Sequence, residues 1–282
     1  MAADTFLRRL EDDALYLPEI KLHSLEKIQR HNYYASVFAA AMRKKWPQLA
    51  YVGLYSGAGR ARVKPNGEII ETTAMSVLRL PSPFTHYIFV DSDERCVEAL
   101  RQRVTAVPDR SVRVIHGDVS ATATQVRQAL PSFGPGRGLL SFCFIDPFST
   151  DFKFDVIRQL GDLRMDFLIL LMLGWDARVN FSRYYGDAES HRIADLIDCP
   201  TWREEWRTSG STDVVGFLLR KFNEAMVRLG YLPAPESSLH RVTAAGKNVF
   251  QYVLAFYSKH QLGQNFWKDT LAGNSEQIGL GL

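Results

Sequence analysis

Apolar residues recur at helical spacing through SLEKIQRHNYYASVFAAAMRKKW, where Leu25, Ile28, Ala35, Phe38 and Met42 follow one another at intervals of three, four or seven. One face of a helix is therefore apolar, and Pro47 stops it. Beyond it the pattern changes to short, continuous apolar runs. A strand is predicted at about 49–55, followed by a glycine-containing loop and a polar excursion, KPNGEIIETTAMSVLRLPSPF. Its Pro-Asn-Gly marks a turn, and the excursion reads as a small hairpin or loop insertion.

The next segments alternate in type. HYIFVD leads into DERCVEALRQRV, where Asp93 is placed to cap a helix and Cys96, Val97, Leu100 and Val104 line one face. VRVIHGD leads into SATATQVRQAL, GLLSFCFIDPF into FDVIRQL, and DFLILLML into a longer polar region. Strands that are apolar throughout predict a sheet covered by helices on both faces, the signature of a doubly wound α/β fold.

Residues 175–210 are rich in charge and aromatic rings and predict short helices forming a cap. A helix follows in DVVGFLLRKFNEAMVRLG, and SSLHRV, TAAGKN and VFQYVLAFY read as a β-hairpin closing the sheet. The expected organisation is an N-terminal helical segment (1–47), a Rossmann-like core (48–174), a helical and aromatic insertion (175–212), a helix and hairpin completing the core (213–268) and a mobile tail (269–282).

Composition adds limits. A chain of 282 residues, 46% of them hydrophobic, can bury one large core. The net charge of +3 is a mild basic excess that permits an anionic partner without requiring one. Cys96, Cys143 and Cys199 are isolated and lack metal-ligand spacing, which suits reduced thiols in a cytoplasmic protein. Acidic residues interrupt the start of the chain where a signal peptide has its apolar core, and no run is long enough to span a bilayer.

Parallel α/β sheets bind ligands at the carboxyl ends of their strands. The first strand here ends in Tyr55-Ser56-Gly57-Ala58-Gly59, where glycines let a ligand approach the backbone and a following helix N-terminus would offer free N–H groups; a plain strand-to-helix turn reads the same way. The second ends in Asp91-Ser92, an acid placed to accept from both hydroxyls of a ribose. The third ends in Asp118-Val119, where the carboxylate can accept from an exocyclic amine such as that of adenine, and the fourth in Asp146-Pro147-Phe148. Polar residues at four successive strand ends point to a nucleoside cofactor. Arg62 stands where a nicotinamide fingerprint wants its third glycine, and Asp91 comes some 30 residues later, so NAD is disfavoured and the seven-strand pattern with its final hairpin favours S-adenosylmethionine.

VGLYSGAGRARV, FVDSDERCVEAL, VIHGD, FIDPFS, RYYGD and FYSKHQLGQNFW together resemble the three-Cys-motif partner (TcmP) family, from about residue 20 to about residue 268. The resemblance implies a Rossmann-like class I methyltransferase fold: a mostly parallel seven-stranded sheet with a terminal β-hairpin, helices on both faces and a helical insertion. It also implies S-adenosylmethionine as cofactor and a radical-SAM-like, three-Cys-motif protein as partner. Carried over, Gly57 and Gly59 match the cofactor loop, Asp91 the ribose acid, Asp118 the adenine contact, and Asp146 to Phe148 the motif of the fourth strand. The chain departs from the family in reading YSGAG for FAGPG and in having Thr72, Thr73 and Ala74 where the family has Gly-Ser-Pro.

A motif related to Asp146-Pro147-Phe148 holds the target amine in amino-methyltransferases acting on bases. Asp146 could likewise orient an amine towards a sulfonium methyl, with Phe148 stacking on a planar substrate, although Ser149 replaces the second proline. The alternative is a capping Asp146 and a core Phe148. Lys259 and His260 after the last strand, with Tyr184 and Tyr185 in the insertion, are candidate substrate contacts; a solvated loop and a cap core are the other readings. The expectation is thus a cytoplasmic S-adenosylmethionine-dependent methyltransferase, the acceptor being an amine of a nucleic acid or another modified molecule. The alternative is an accessory partner of a radical-SAM-like protein.

Overall fold

The computed structural model describes residues 7–64, 66–131, 138–244 and 249–272. Two short strands, β1 (Arg9–Leu10) and β2 (Glu19–Lys21), open it where a helical segment was expected. Runs of two and three residues carry no readable period, so this part of the fold was invisible in the sequence. The apolar stripe after them is the helix α1 (His23–Met42), which buries Ile28, Ala35, Phe38 and Met42 as its spacing requires.

The first core strand, β3 (Gln48–Leu54), is buried along nearly all its length. The helix expected directly after its glycine loop is displaced. The chain instead enters a hairpin of β4 (Arg60–Lys64) and β5 (Ile69–Glu71), and only then begins α2 (Thr73–Leu78). Thr72 N–H donates to the carbonyl of Gly59 at 2.9 Å, so the excursion leaves and returns at the same point. β1 pairs with β5 and β2 with β4, giving a small four-stranded sheet in the order β1-β5-β4-β2.

Three βα steps follow: β6 (His86–Asp91) with α3 (Glu94–Val104), β7 (Ser111–His116) with α4 (Val119–Ala129), and β8 (Leu139–Ile145) with α5 (Asp155–Leu160). β9 (Met165–Leu171) runs into a π-helical turn at Leu173–Ala177. The insertion is helical as expected: α6 (Phe181–Gly186), α7 (Arg192–Ile197) and α8 (Trp202–Ser209). Then come α9 (Val214–Arg228), the antiparallel pair β10 (His240–Ala244) and β11 (Val249–Tyr257), and α10 (Gln261–Ala272). α10 takes in the first residues assigned to the tail. The turn expected over TAAGKN and the rest of the tail fall at 245–248 and 273–282, outside the described residues.

The main sheet has seven strands in the order β10-β11-β9-β8-β3-β6-β7, with β11 antiparallel to β9 and the five strands from β9 to β7 parallel. This is the Rossmann-like arrangement with a terminal hairpin that the chain led us to expect. Apolar residues project from both faces. Along β9, Phe167, Ile169 and Leu171 pack with Val126, Ile157 and Phe222 of α4, α5 and α9, while Leu168 and Leu170 pack with Tyr34, Phe38 and Trp267 of α1 and α10. Helices on both faces leave the strand tips as the place for polar chemistry, and order reverses at β3, whose neighbours are β8 and β6.

Candidate functional site

The loop after β3 is laced to its neighbours by backbone bonds. Ser56 N–H donates to the carbonyl of Val90 at 2.9 Å, and Gly57 N–H to the Asp91 carboxylate at 2.7 Å. Gly117 N–H, at the end of β7, donates to the Asp91 carbonyl at 3.0 Å. Tyr55, Gly57 and Gly59 have φ of 63°, 63° and 82°, the left-handed region that favours glycine, so Tyr55 stores local strain. A Cβ on Gly59 would lie 2.6 Å from Cγ of Met75, whereas one on Gly57 would enter open space. Gly59 is thus needed for packing, and Gly57 is where the loop opens outward.

Asp91 is 5% exposed. One carboxylate oxygen accepts from Gly57 N–H and the other from Asp93 N–H at 2.9 Å. A carboxylate has about four acceptor positions, and these two bonds use half of them. Ser92 beside it is exposed, and its carbonyl lies 3.2 Å from His116 Nε2. Asp93 caps α3 as expected. Asp118 proves to be a cap as well: its Oδ1 accepts from Ser120 N–H at 2.9 Å and Ala121 N–H at 3.1 Å, while Val119 is buried. Neither bond uses Oδ2 of Asp118. Burial first, then the carboxylates of Asp118, Asp151 and Asp91, push the Tyr55 hydroxyl well above its ordinary pKa.

At the tip of β8, Asp146 neither caps a helix nor stands free. Lys27 of α1 donates to both its oxygens, at 2.6 and 2.8 Å. Pro147 is buried and Phe148 is 81% exposed, so Phe148 is not core. Trp175, in the π-helical turn after β9, is 54% exposed, with the Lys21 ammonium 5.6 Å from its ring centre. His23 lies close enough to Lys21 and Lys27 that burial and these two charges lower its pKa. Lys21, Lys27 and Trp175 were not singled out in the sequence. Lys27 sits between Leu25 and Ile28, and its neighbours along the chain give no sign of a partner more than 100 residues away.

A second carboxylate, Asp176, ties the loop after Phe148 to the insertion. It accepts from Thr150 N–H and Oγ1 (both 2.7 Å), Asn180 Nδ2 (2.9 Å) and the Tyr184 hydroxyl (2.7 Å). Burial pushes its pKa up, but these hydrogen bonds prevail and hold it below the usual range. Tyr184 is thereby committed as a strut, with Arg192 over its ring at 5.5 Å. Tyr185 packs edge-on to Trp202 at 5.9 Å, in a cluster with Phe181 and Trp206. Tyr185 is part of the insertion's packing, and Tyr184 meets the loop after β8 through the Asp176 carboxylate.

Lys259 and His260 do not reach the strand tips either. β11 is antiparallel, with Tyr257 opposite Phe167 near the start of β9, so the residues after it lie at the amino edge of the sheet. Lys259 Nζ donates there to the Gly161 carbonyl at 2.6 Å. The same edge holds a cavity of about 560 Å³, but Asp91, Asp118 and Asp146 take no part in lining it. Cavity volume and strand-tip chemistry therefore point to opposite edges. The acids Asp91, Asp118 and Asp146 and the opened glycine loop all lie at the carboxyl edge. Among the described residues no group of three or more His, Cys, Asp or Glu is arranged to hold a metal, and no helix is long and apolar enough to cross a membrane.

No protein-family model matches the chain, and no curated protein matches it in sequence. Solved structures resemble it at low identity. An O-methyltransferase from Bacillus cereus in complex with SAH matches with a TM-score of 0.43 and 11% identity over 79% of this chain and 80% of that one. A geranyl diphosphate methyltransferase in complex with SAM matches with a TM-score of 0.42 and 15% identity, over 85% and 87%. A magnesium protoporphyrin IX methyltransferase from Synechocystis PCC 6803 with bound SAH matches with a TM-score of 0.41 and 10% identity, over 83% and 87%. Those activities are statements about those proteins.

Proposed function

We propose that this chain binds S-adenosylmethionine at the tips of β3, β6 and β7 and is a methyltransferase acting on an acceptor seated at the tip of β8. The observation that carries this is the grip of Asp91 on Gly57: the acid at one strand tip holds open the glycine loop of the next, with acceptor positions to spare. The residues present fit the cofactor. Gly57 faces open space, Asp91 offers lone pairs for the ribose hydroxyls beside Ser92, and Oδ2 of Asp118 beside Val119 suits an exocyclic amine.

When bound, S-adenosylmethionine supplies an electrophilic methyl group. This chain's own contribution is positioning. Asp146 accepts a hydrogen bond from an N–H of the acceptor, which aims the nitrogen lone pair, while Lys27 fixes the carboxylate from the side. Pro147 sets the turn that presents Phe148 to solvent. Phe148 and Trp175 offer exposed rings on which a planar group can stack, and Lys21 adds a cation beside the second ring. An amine on a planar group suits this surface, a splayed nucleobase of a nucleic acid being one form. The resemblance to the TcmP family adds a radical-SAM-like protein as partner, which co-purification from cells producing both proteins tests.

Calorimetric titration of the wild-type protein and Asp91→Ala with S-adenosylmethionine and S-adenosylhomocysteine tests the reading. Specific binding by the wild type that the variant loses supports it. A folded wild-type sample that binds neither compound overturns it.

A further inference from the structure

The cavity at the amino edge of the sheet is built like a ligand site. Its volume of about 560 Å³ is in the range of small-molecule pockets, and it lies between the last turns of α1, the start of β8 and the start of α10. Phe38, Met42, Trp46, Leu140, Leu262 and Phe266 give it apolar walls.

Its two ends differ. Lys45, Arg164, Lys259 and His260 are exposed and ring its mouth. The Arg164 guanidinium lies over the ring of Trp46 at 5.3 Å, and Lys259 is held by the Gly161 carbonyl. Among the described residues none of the four has a carboxylate partner, so the mouth carries uncompensated positive charge. Asp166 and Ser258 line the interior and are buried. Burial raises the Asp166 carboxyl to about 7, so near neutral pH it can donate or accept a hydrogen bond.

We infer that this cavity binds an amphipathic anion: an apolar body with an acidic head held at the mouth by Arg164 and Lys45, and a hydroxyl at the far end that hydrogen-bonds to Asp166. The site is separate from the strand tips, and its occupation does not depend on methyl transfer.

Three probes test it on the full chain: 4-(4-hydroxyphenyl)butanoate, 4-phenylbutanoate, which lacks the hydroxyl, and 4-propylphenol, which lacks the acid. Each is titrated by calorimetry, with tryptophan fluorescence as a second readout through Trp46. The first is expected to bind at one site, and each of the others about tenfold more weakly, the value of one good hydrogen bond or charge contact. Arg164→Ala, at an exposed position where folding is not at risk, is expected to weaken the first probe about tenfold and to leave S-adenosylhomocysteine titrations unchanged. No saturable binding of the first probe up to millimolar concentration, or equal affinity for all three, overturns the inference.

Discussion

The ammonium of Lys27 meets both carboxylate oxygens of Asp146 at 2.6 and 2.8 Å, joining the first long helix to the tip of β8. Both side chains are largely buried, at 14% and 19% exposure, so each is costly to leave without the other. Lys27→Met and Asp146→Asn should each destabilise the fold, and the double variant should lose less than their sum. A double-mutant cycle in denaturant should give a coupling of about 1–3 kcal/mol; strict additivity would show that the pair contributes nothing. If Asp146 orients the acceptor, Asp146→Asn should also abolish turnover while changing S-adenosylhomocysteine affinity by no more than about twofold.

Asp91→Ala is expected to do two things at once. It removes the acceptor for two backbone N–H groups, Gly57 and Asp93, which should cost about 1–3 kcal/mol in stability. It should also end cofactor binding. Thermal denaturation beside calorimetry separates these effects, and a variant as stable as the wild type would show that the loop does not rely on this grip.

Tyr184→Phe removes the bond of its hydroxyl to Asp176. Stability should drop by about 1 kcal/mol, with S-adenosylhomocysteine affinity unchanged. Phe148→Ser, at a ring already in solvent, should leave the melting temperature within about a degree. A large loss from Phe148→Ser would return that ring to the core.

Two buried groups bend the pH profile in opposite directions. Burial lowers the pKa of His31 to about 4 from 6.5, so between those values the unfolded chain holds the extra proton and stability falls as pH falls. Burial raises Asp166 to about 7 from 3.8, so across that window the native state holds the extra proton and stability falls as pH rises. In the wild type the two effects offset each other. Asp166→Asn should expose a rise in stability from about pH 4 to 6.5, and His31→Gln a decline from about pH 4 to 7. Denaturant titrations across this range check both, and slopes of the reverse sign would refute the assignments.

The sheet was readable because strands such as β9 are apolar on both faces and so announce themselves as runs. Asp93 was readable as a cap because the signal is local. What depended on distance or direction was not. Strands as short as β1 and β2 are defined only by their partners on the hairpin. The pairing of Lys27 with Asp146 spans 119 residues. That Lys259 and His260 lie at the amino edge of the sheet was not readable, because a run of apolar residues does not say which way its strand points, and β11 points against its neighbour. Tyr184 could be read as a substrate contact or as cap core, and the bond that decides for a packing role, to Asp176 eight residues back, carries no sequence signal.

The small sheet also imposes an order on synthesis. β1 and β2 leave the ribosome well before the hairpin they pair with, and β1 has no partner until Glu71 has emerged. A segment made before the hairpin thus settles only after it. If that segment is cut away up to Lys21, β4 and β5 are left as a two-stranded ribbon held by the packing of Val63 and Ile70 on Ile28 of α1 and by the Gly59–Thr72 bond. Through that bond, β1 and β2 help govern how firmly the glycine loop is held from behind.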